Sequence, residues 1–180
     1  MTWKMNSILN DSNSMNFVTM DPGVRDGGGT GLALFSVNPR ITNPIKIEQF
    51  SPFRKNSDHN FKCNEVIYNI ETYFKRMRLL ELVIEPTKVY IEKPQFFDTA
   101  KGQTAARSDS LFKLIYFYGR LYQLISSLGH TPIPLEIFKW KGQLSKSQVK
   151  TRVEKITNLE FKGDIIDAVG MGLHIKGLFK

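Results

Sequence analysis

What most constrains this chain is the order in which its apolar periodicities change. Three short runs come first, at residues 17–21 (FVTMD), 31–37 (GLALFSV) and 45–50 (IKIEQF). The third alternates Ile45 and Ile47 with Lys46 and Glu48, the period of two expected of a half-buried strand. The first ends in Asp21-Pro22-Gly23, a turn signal. Strands this close in sequence connect as an antiparallel meander. The period then lengthens, with Val66, Ile70, Tyr73, Met77 and Leu80 at helical spacing across 62–82. VYIE at 89–92 reads as a short buried strand, followed by a flexible loop rich in Gly, Thr and Ala at 99–106. The longest helical signal covers 107–128 and stops at Gly129. PIPLEIF at 132–138 is a fifth strand, and 146–156 and 164–176 are two further helices. The order β-β-β-α-β-α-β-α-α predicts an α/β fold: a five-stranded mixed sheet, three antiparallel strands and then parallel ones, flanked by helices.

Composition narrows the class. A chain of 180 residues with 41% hydrophobic content is long enough for one domain with a core, and no internal repeat or low-complexity linker divides it. The expected division is a disordered Asn- and Ser-rich tail over 1–16 and a single domain over 17–180. No apolar run reaches the ~18 residues of a membrane span, and the N-terminus lacks the apolar core of a secretory signal. The one cysteine, Cys63, excludes an internal disulfide framework and a Cys-based zinc site, and it suits a reducing cytosol. The abundance of Lys, Asn and Ile hints at an AT-rich genome, that of a phage or a low-GC bacterium. Net charge is +8, the footprint of a nucleic-acid binder, since Lys and Arg release the counterions condensed on phosphates. The charge is also localised. Lys139, Lys141, Lys146, Lys150, Arg152, Lys155 and Lys162 face only Glu154 and Glu160 in the same stretch.

Four carboxylates stand where a metal site would want them. Asp21 ends the first strand and Glu92 the fourth; Asp164 and Asp167 open the last helix three residues apart, on one face. If the fourth strand returns parallel beside the first, Asp21 and Glu92 project from one sheet edge, and the last helix can bring its pair onto them. Hard oxygen ligands without His or Cys suit Mg²⁺ or Mn²⁺. Two such ions can activate water and stabilise a leaving oxygen in phosphodiester hydrolysis. Taken singly, each acid has an ordinary reading. Asp21 is a normal turn residue before Pro-Gly, and acids at a helix N-terminus complement its dipole. Glu92 is harder to explain away, because it closes an apolar strand.

The same residues carry a resemblance. VTMDPGVRDGG…GLALF, VYIEKPQFF, KWKGQLSKSQVKTRVEKI and GDIIDAVGMGLHI resemble, in this order over 17–175, the motifs of RuvC-type Holliday-junction resolvases. The element order is likewise that of the RNase H-like superfamily to which they belong. The resemblance implies a Mg²⁺-dependent endonuclease, a homodimer that nicks four-way DNA junctions in pairs and leaves a 5′-phosphate and a 3′-hydroxyl. It implies Asp21, Glu92, Asp164 and Asp167 as ligands of two ions and Lys146 as the basic helper near the scissile phosphate. Phe96 or Phe97 would stack on an opened base, with ordinary core as the alternative. Arg25, Lys101, Arg107, Lys139, Lys141, Lys146 and Lys150 would hold the DNA backbone. The helix at 107–128 is richer in apolar residues than one core stripe requires, which fits either a partner subunit or more core.

Two departures bear on the substrate. The Gly-rich run 26–30 is about three residues longer than in the family pattern, and Pro94 follows Glu92 with the aromatic pair placed late. A broader branched-DNA or flap nuclease, or an RNase acting on structured RNA, is therefore the alternative reading. An ATPase lobe of the actin-like kind would also follow its first strand with Asp-x-Gly, but needs two lobes, and this length provides one. A module that binds nucleic acid without cutting would normally have lost one of the four acids.

Overall fold

The structure, a computed structural model, describes residues 16–24, 29–53, 57–84, 86–95 and 109–179. Residues 1–15 of the expected N-terminal tail, the 99–106 loop, Arg25, Phe96, Phe97, Lys101 and Arg107 lie outside them, whereas Asn16, placed in that tail, opens the first strand. Five strands form one sheet: β1 (Asn16–Asp21), β2 (Thr30–Ser36), β3 (Lys46–Phe50), β4 (Lys88–Lys93) and β5 (Thr131–Glu136). The helices among the described residues are α1 (His59–Leu79), α2 (Ser110–Ser127), α3 (Ile137–Trp140), α4 (Lys146–Thr157) and α5 (Ile165–Ile175).

The strand order is β3-β2-β1-β4-β5. β1, β2 and β3 pair antiparallel as the expected meander, while β4 lies parallel to β1 and β5 parallel to β4. Strand alternation sends successive side chains to opposite faces, and both faces are covered. Val18, Met20, Leu32, Leu34, Val89 and Ile91 pack under α1 and α2 with Val66, Ile70, Phe117 and Leu121. Phe17, Ala33 and Phe35 pack under α3, α4 and α5 with Trp140, Val149, Val153 and Leu173. This three-layer arrangement is the RNase H-like fold. Among the described residues, no helix is long and apolar enough to cross a membrane.

Local chemistry sets the boundaries. α1 starts at His59, three residues before its apolar period begins, because Asp58 caps it by accepting from the Phe61 amide at 2.9 Å. α2 stops at the expected Gly129 (φ 81°), where the Gly129 and His130 amides return to the Ser126 and Ile125 carbonyls. β5 is shorter than expected: Ile137 and Phe138, read as strand, open the one-turn helix α3. A short apolar run does not separate a strand from a helical turn, and this turn matters for the site.

Candidate active site

The β1–β4 ladder pairs Met20 with Ile91, so Asp21 and Glu92 follow it side by side at the carboxyl ends of neighbouring strands. Alternation then fixes which way they face. Asp21 shares the parity of Phe17 and Thr19, and Glu92 that of Tyr90; Phe17 and Tyr90 pack in the layer of α5. Thr19 ties that layer down by donating its hydroxyl to the Ala168 carbonyl of α5 at 2.7 Å. The N-terminus of α5 therefore arrives over the end of β1, with Asp164 as its cap residue and Asp167 in its first turn. Both are buried, at 5% and 4% exposure.

The close approach depends on glycine. Gly31 faces Asp21 across the β1–β2 ladder. A Cβ there would meet the Asp164 carbonyl oxygen at 2.2 Å and the Ile165 nitrogen at 2.8 Å. Nearby, the Gly29 amide donates to Asp164 Oδ2 at 3.0 Å.

Two lysines enter the acidic cluster. Lys146 Nζ lies 3.0 Å from Asp164 Oδ1 and 3.3 Å from Asp167 Oδ2, and Lys141 Nζ lies 3.2 Å from Asp167 Oδ1. Glu92 Oε2 accepts from the indole N–H of buried Trp140 at 3.0 Å. Burial, reinforced by the Glu92, Asp167 and Asp164 charges and opposed by Lys146, raises the Asp21 carboxyl well above the ordinary range. Burial also lifts Glu92 to about 7, with Lys141, the Trp140 bond and Lys146 pulling down and Asp167 pushing up. At Lys146, desolvation pulls the ammonium down, but the hydrogen bond to Asp164 and the two aspartate charges outweigh it and the net shift is upward.

The four acids thus sense one another electrostatically. Even so, among the described residues no three His, Cys, Asp or Glu side chains converge tightly enough to hold a metal ion as they stand. Lys146 stands between the two aspartates, pairing with both. The donor set itself fits a hard divalent cation: carboxylate oxygens only, on two strand ends and one helix.

Solved structures share this architecture. Thermus thermophilus RuvC in complex with Holliday junction substrate matches the chain at 16% identity and a TM-score of 0.60. A second Thermus thermophilus RuvC structure matches at 17% identity and a TM-score of 0.60. Each match covers 92% of this chain and 99% of the other. This chain has the RuvC fold. No family model and no curated protein matches its sequence.

On this RuvC fold, the remaining expected DNA contacts fall in different places. Lys139 is exposed and ion-paired with Glu136 at 3.2 Å; Lys150 is exposed and lies 3.6 Å from Glu154 on α4. Lys141, expected at the DNA backbone, lies 3.2 Å from Asp167 Oδ1 with 20% of its side chain exposed. Sequence reasoning missed Trp140. A tryptophan inside a basic segment has no distinguishing spacing, and its link to Glu92 emerges only once α3 turns beside β4 and β5.

Proposed function

We propose that this chain is a Mg²⁺-dependent endodeoxyribonuclease that resolves four-way DNA junctions by paired nicks. The observation that carries the reading is the placement of Asp21 and Glu92 at neighbouring strand ends beneath Asp164 and Asp167 at the start of α5, with Lys146 against the two aspartates, on a RuvC fold. It is supported by the net charge of +8 and by the solved RuvC that was captured with a Holliday junction. Asp21, Glu92, Asp164 and Asp167 are the residues that would hold the cations. The chemistry supplied by two Mg²⁺ ions is Lewis acidity toward the phosphate and a more acidic water.

The protein's own groups do the positioning. Trp140 fixes the Glu92 carboxylate through the indole N–H. Lys146, with nearly half of its side chain exposed, swings from the aspartates to the scissile phosphate. Lys139 and Lys150 hold the flanking backbone, a contribution that weakens with salt. Hydrolysis leaves a 5′-phosphate and a 3′-hydroxyl.

Paired nicks need two sites, and α2 offers the surface to join them. Phe117, Leu121 and Ile125 point into the core, while Phe112, Ile115, Tyr116 and Tyr122 are exposed along the opposite side. The proposed resolvase is a homodimer through that face.

The test is an end-labelled four-way junction incubated with and without Mg²⁺, beside linear duplex, flap and RNA controls, with Glu92→Gln alongside. The expected result is symmetric paired nicks on the junction, absent without Mg²⁺ and absent in Glu92→Gln, which still binds the junction. Cleavage spread over flaps or RNA would refute junction selectivity, and unpaired nicking would refute the dimer. Junction binding without any cutting would refute the nuclease.

A further inference from the structure

Trp140, the donor to Glu92, sits on an element with little stability of its own. It is the last residue of α3, a single helical turn, and a helix that short gains nothing from cooperativity. Burial is what fixes the indole, which is 3% exposed. Its ring lies against the backbone of α5, where a Cβ at Gly170 would meet Cζ3 at 2.8 Å. The same Cβ would meet Val149 Cγ1 at 3.4 Å, which brings α4 to that contact. Phe179 supplies another wall, with ring centroids 6.0 Å apart and planes inclined by 53°. Lys141, next in sequence, sets its ammonium 5.2 Å from the indole centroid while it pairs with Asp167.

Phe179 reaches the indole because the chain doubles back after α5. Gly177 takes a left-handed φ of 72°, and its amide donates to the His174 carbonyl at 2.8 Å. The Leu178 and Phe179 amides then return to the Leu173 carbonyl at 2.9 and 3.3 Å, the pattern that ends a helix at glycine. The Phe179 ring is itself enclosed, at 5% exposure, with the Arg152 guanidinium of α4 6.0 Å from its centroid. The helix α5 therefore bears on the acids twice. Its first turn carries Asp164 and Asp167, and just past its far end comes the ring that packs on the donor to Glu92.

We infer that Phe179 is a positioning residue: by closing the slot around Trp140 it fixes the direction of the indole N–H and, through it, the Glu92 carboxylate. The kinetic side of this inference rests on the nuclease reading above, whereas the hydrogen bond itself does not. A hydrogen bond weakens steeply as its angle departs from linear. A tilt of the indole that barely changes its burial is therefore enough to loosen the 3.0 Å bond to Glu92. Gly170 supports one part of the ring, and a second flat ring at 6.0 Å resists the tilt. Lys141 moves with the same indole, so one aromatic plate sets both Glu92 and the ammonium beside Asp167.

The experiment uses the full chain with Trp3→Phe, so that Trp140 is its one tryptophan. Resonance Raman spectra, taken without Mg²⁺ or DNA, follow the indole ring mode that shifts with hydrogen bonding at Nε1. Phe179→Leu is expected to move that band toward the position of a weaker hydrogen bond. Phe179→Met, which fills the space with a flexible chain, is expected to do the same and serves if leucine unfolds the protein. Phe17→Leu makes the same exchange in the same layer, where Phe17 stacks on Phe35, and is expected to leave the band in place. In nicking assays at saturating Mg²⁺, Phe179→Leu is expected to lower kcat several-fold, within the roughly tenfold of Trp140→Phe, with KM for the junction unchanged. Added to Trp140→Phe it is expected to lower kcat no further, because the N–H that it steers is gone. A band unmoved by both Phe179 variants would overturn the positioning role whether or not the chain cuts DNA. So would losses that multiply in the double variant, or an equal loss of kcat in Phe17→Leu. A shifted band in a chain that cuts no junction would overturn the nuclease reading and leave the hold of Phe179 on Glu92 standing.

Discussion

Replacing Gly31 by alanine tests whether the carboxylates owe their placement to a missing side chain. The new Cβ would stand 2.2 Å from the Asp164 carbonyl oxygen, 2.5 Å from its carbon and 2.8 Å from the Ile165 nitrogen. All three are backbone atoms, so no rotamer change relieves the clash. Against the 3.4 Å at which ordinary contact begins, the shortfall is about 1.2 Å, and the first turn of α5 must move by roughly that much or β2 must bend away. Overpacking of this kind costs about 1–3 kcal/mol of stability, which leaves a folded protein. The effect on function is larger, because Asp164 and Asp167 ride on the displaced turn while Asp21, paired with Gly31, stays with the sheet. A misplacement of about 1 Å costs on the order of 10²-fold in rate. Junction nicking under saturating Mg²⁺ should therefore fall about a hundredfold in Gly31→Ala, with junction affinity and far-ultraviolet circular dichroism retained. Nicking within twofold of wild type, in a protein that melts cooperatively, would refute the account of how the site is assembled.

Other substitutions separate the roles around the cluster. Lys146→Ala should slow nicking while lowering the Mg²⁺ concentration needed for half-maximal rate, because Lys146 now pairs with both aspartates; an unchanged Mg²⁺ titration would show that it does not compete there. Trp140→Phe keeps most of the buried ring but removes the donor to Glu92, a charge-assisted bond worth ~1.5–3 kcal/mol, and should reduce nicking by roughly tenfold; wild-type rates would mean Glu92 needs no such tether. Burial lifts the Cys63 thiol from 9.0 to about 11, so the unfolded chain releases this proton first. Stability should then fall as pH rises from 9 to 11, and urea midpoints for Cys63→Ala should fall less steeply over that window; parallel slopes would count against the shift.

The sequence announced the sheet because its signals were local. Asp-Pro-Gly ends β1, alternating Ile45 and Ile47 mark the approach to β3, and the change to helical spacing marks α1. Boundaries failed where the deciding partner was not in the apolar pattern. The first turn of α1 lies ahead of its apolar period and is held by Asp58, and Ile137-Phe138 continues an apolar run while the backbone has already turned. The apolar surplus of α2 was visible as composition, but which residues faced outward was not. Phe117, Leu121 and Ile125 go to the core, and Phe112, Ile115 and Tyr116 do not.

The site divides along the same line. Asp21 and Glu92 were legible because a parallel return of β4 places two strand ends together whatever the side chains around them. The lysines were legible only as charge, and charge in a basic segment reads as a phosphate contact. In the fold two of them, Lys141 and Lys146, also pair with the buried aspartates. Asp164 and Asp167 are nearly fully buried, and two uncompensated anions there would cost several kcal/mol each. Lys146 and Lys141 supply matching ammoniums at 3.0 to 3.3 Å, while Asp21 and Glu92 are pushed toward their neutral forms. The acidic cluster is therefore compensated from within, and α5 can dock on the sheet without help from an ion. On the proposed function, a divalent cation held by Asp164 and Asp167 would compete with Lys146 for their oxygens, and a lysine displaced there would be left free for a phosphate.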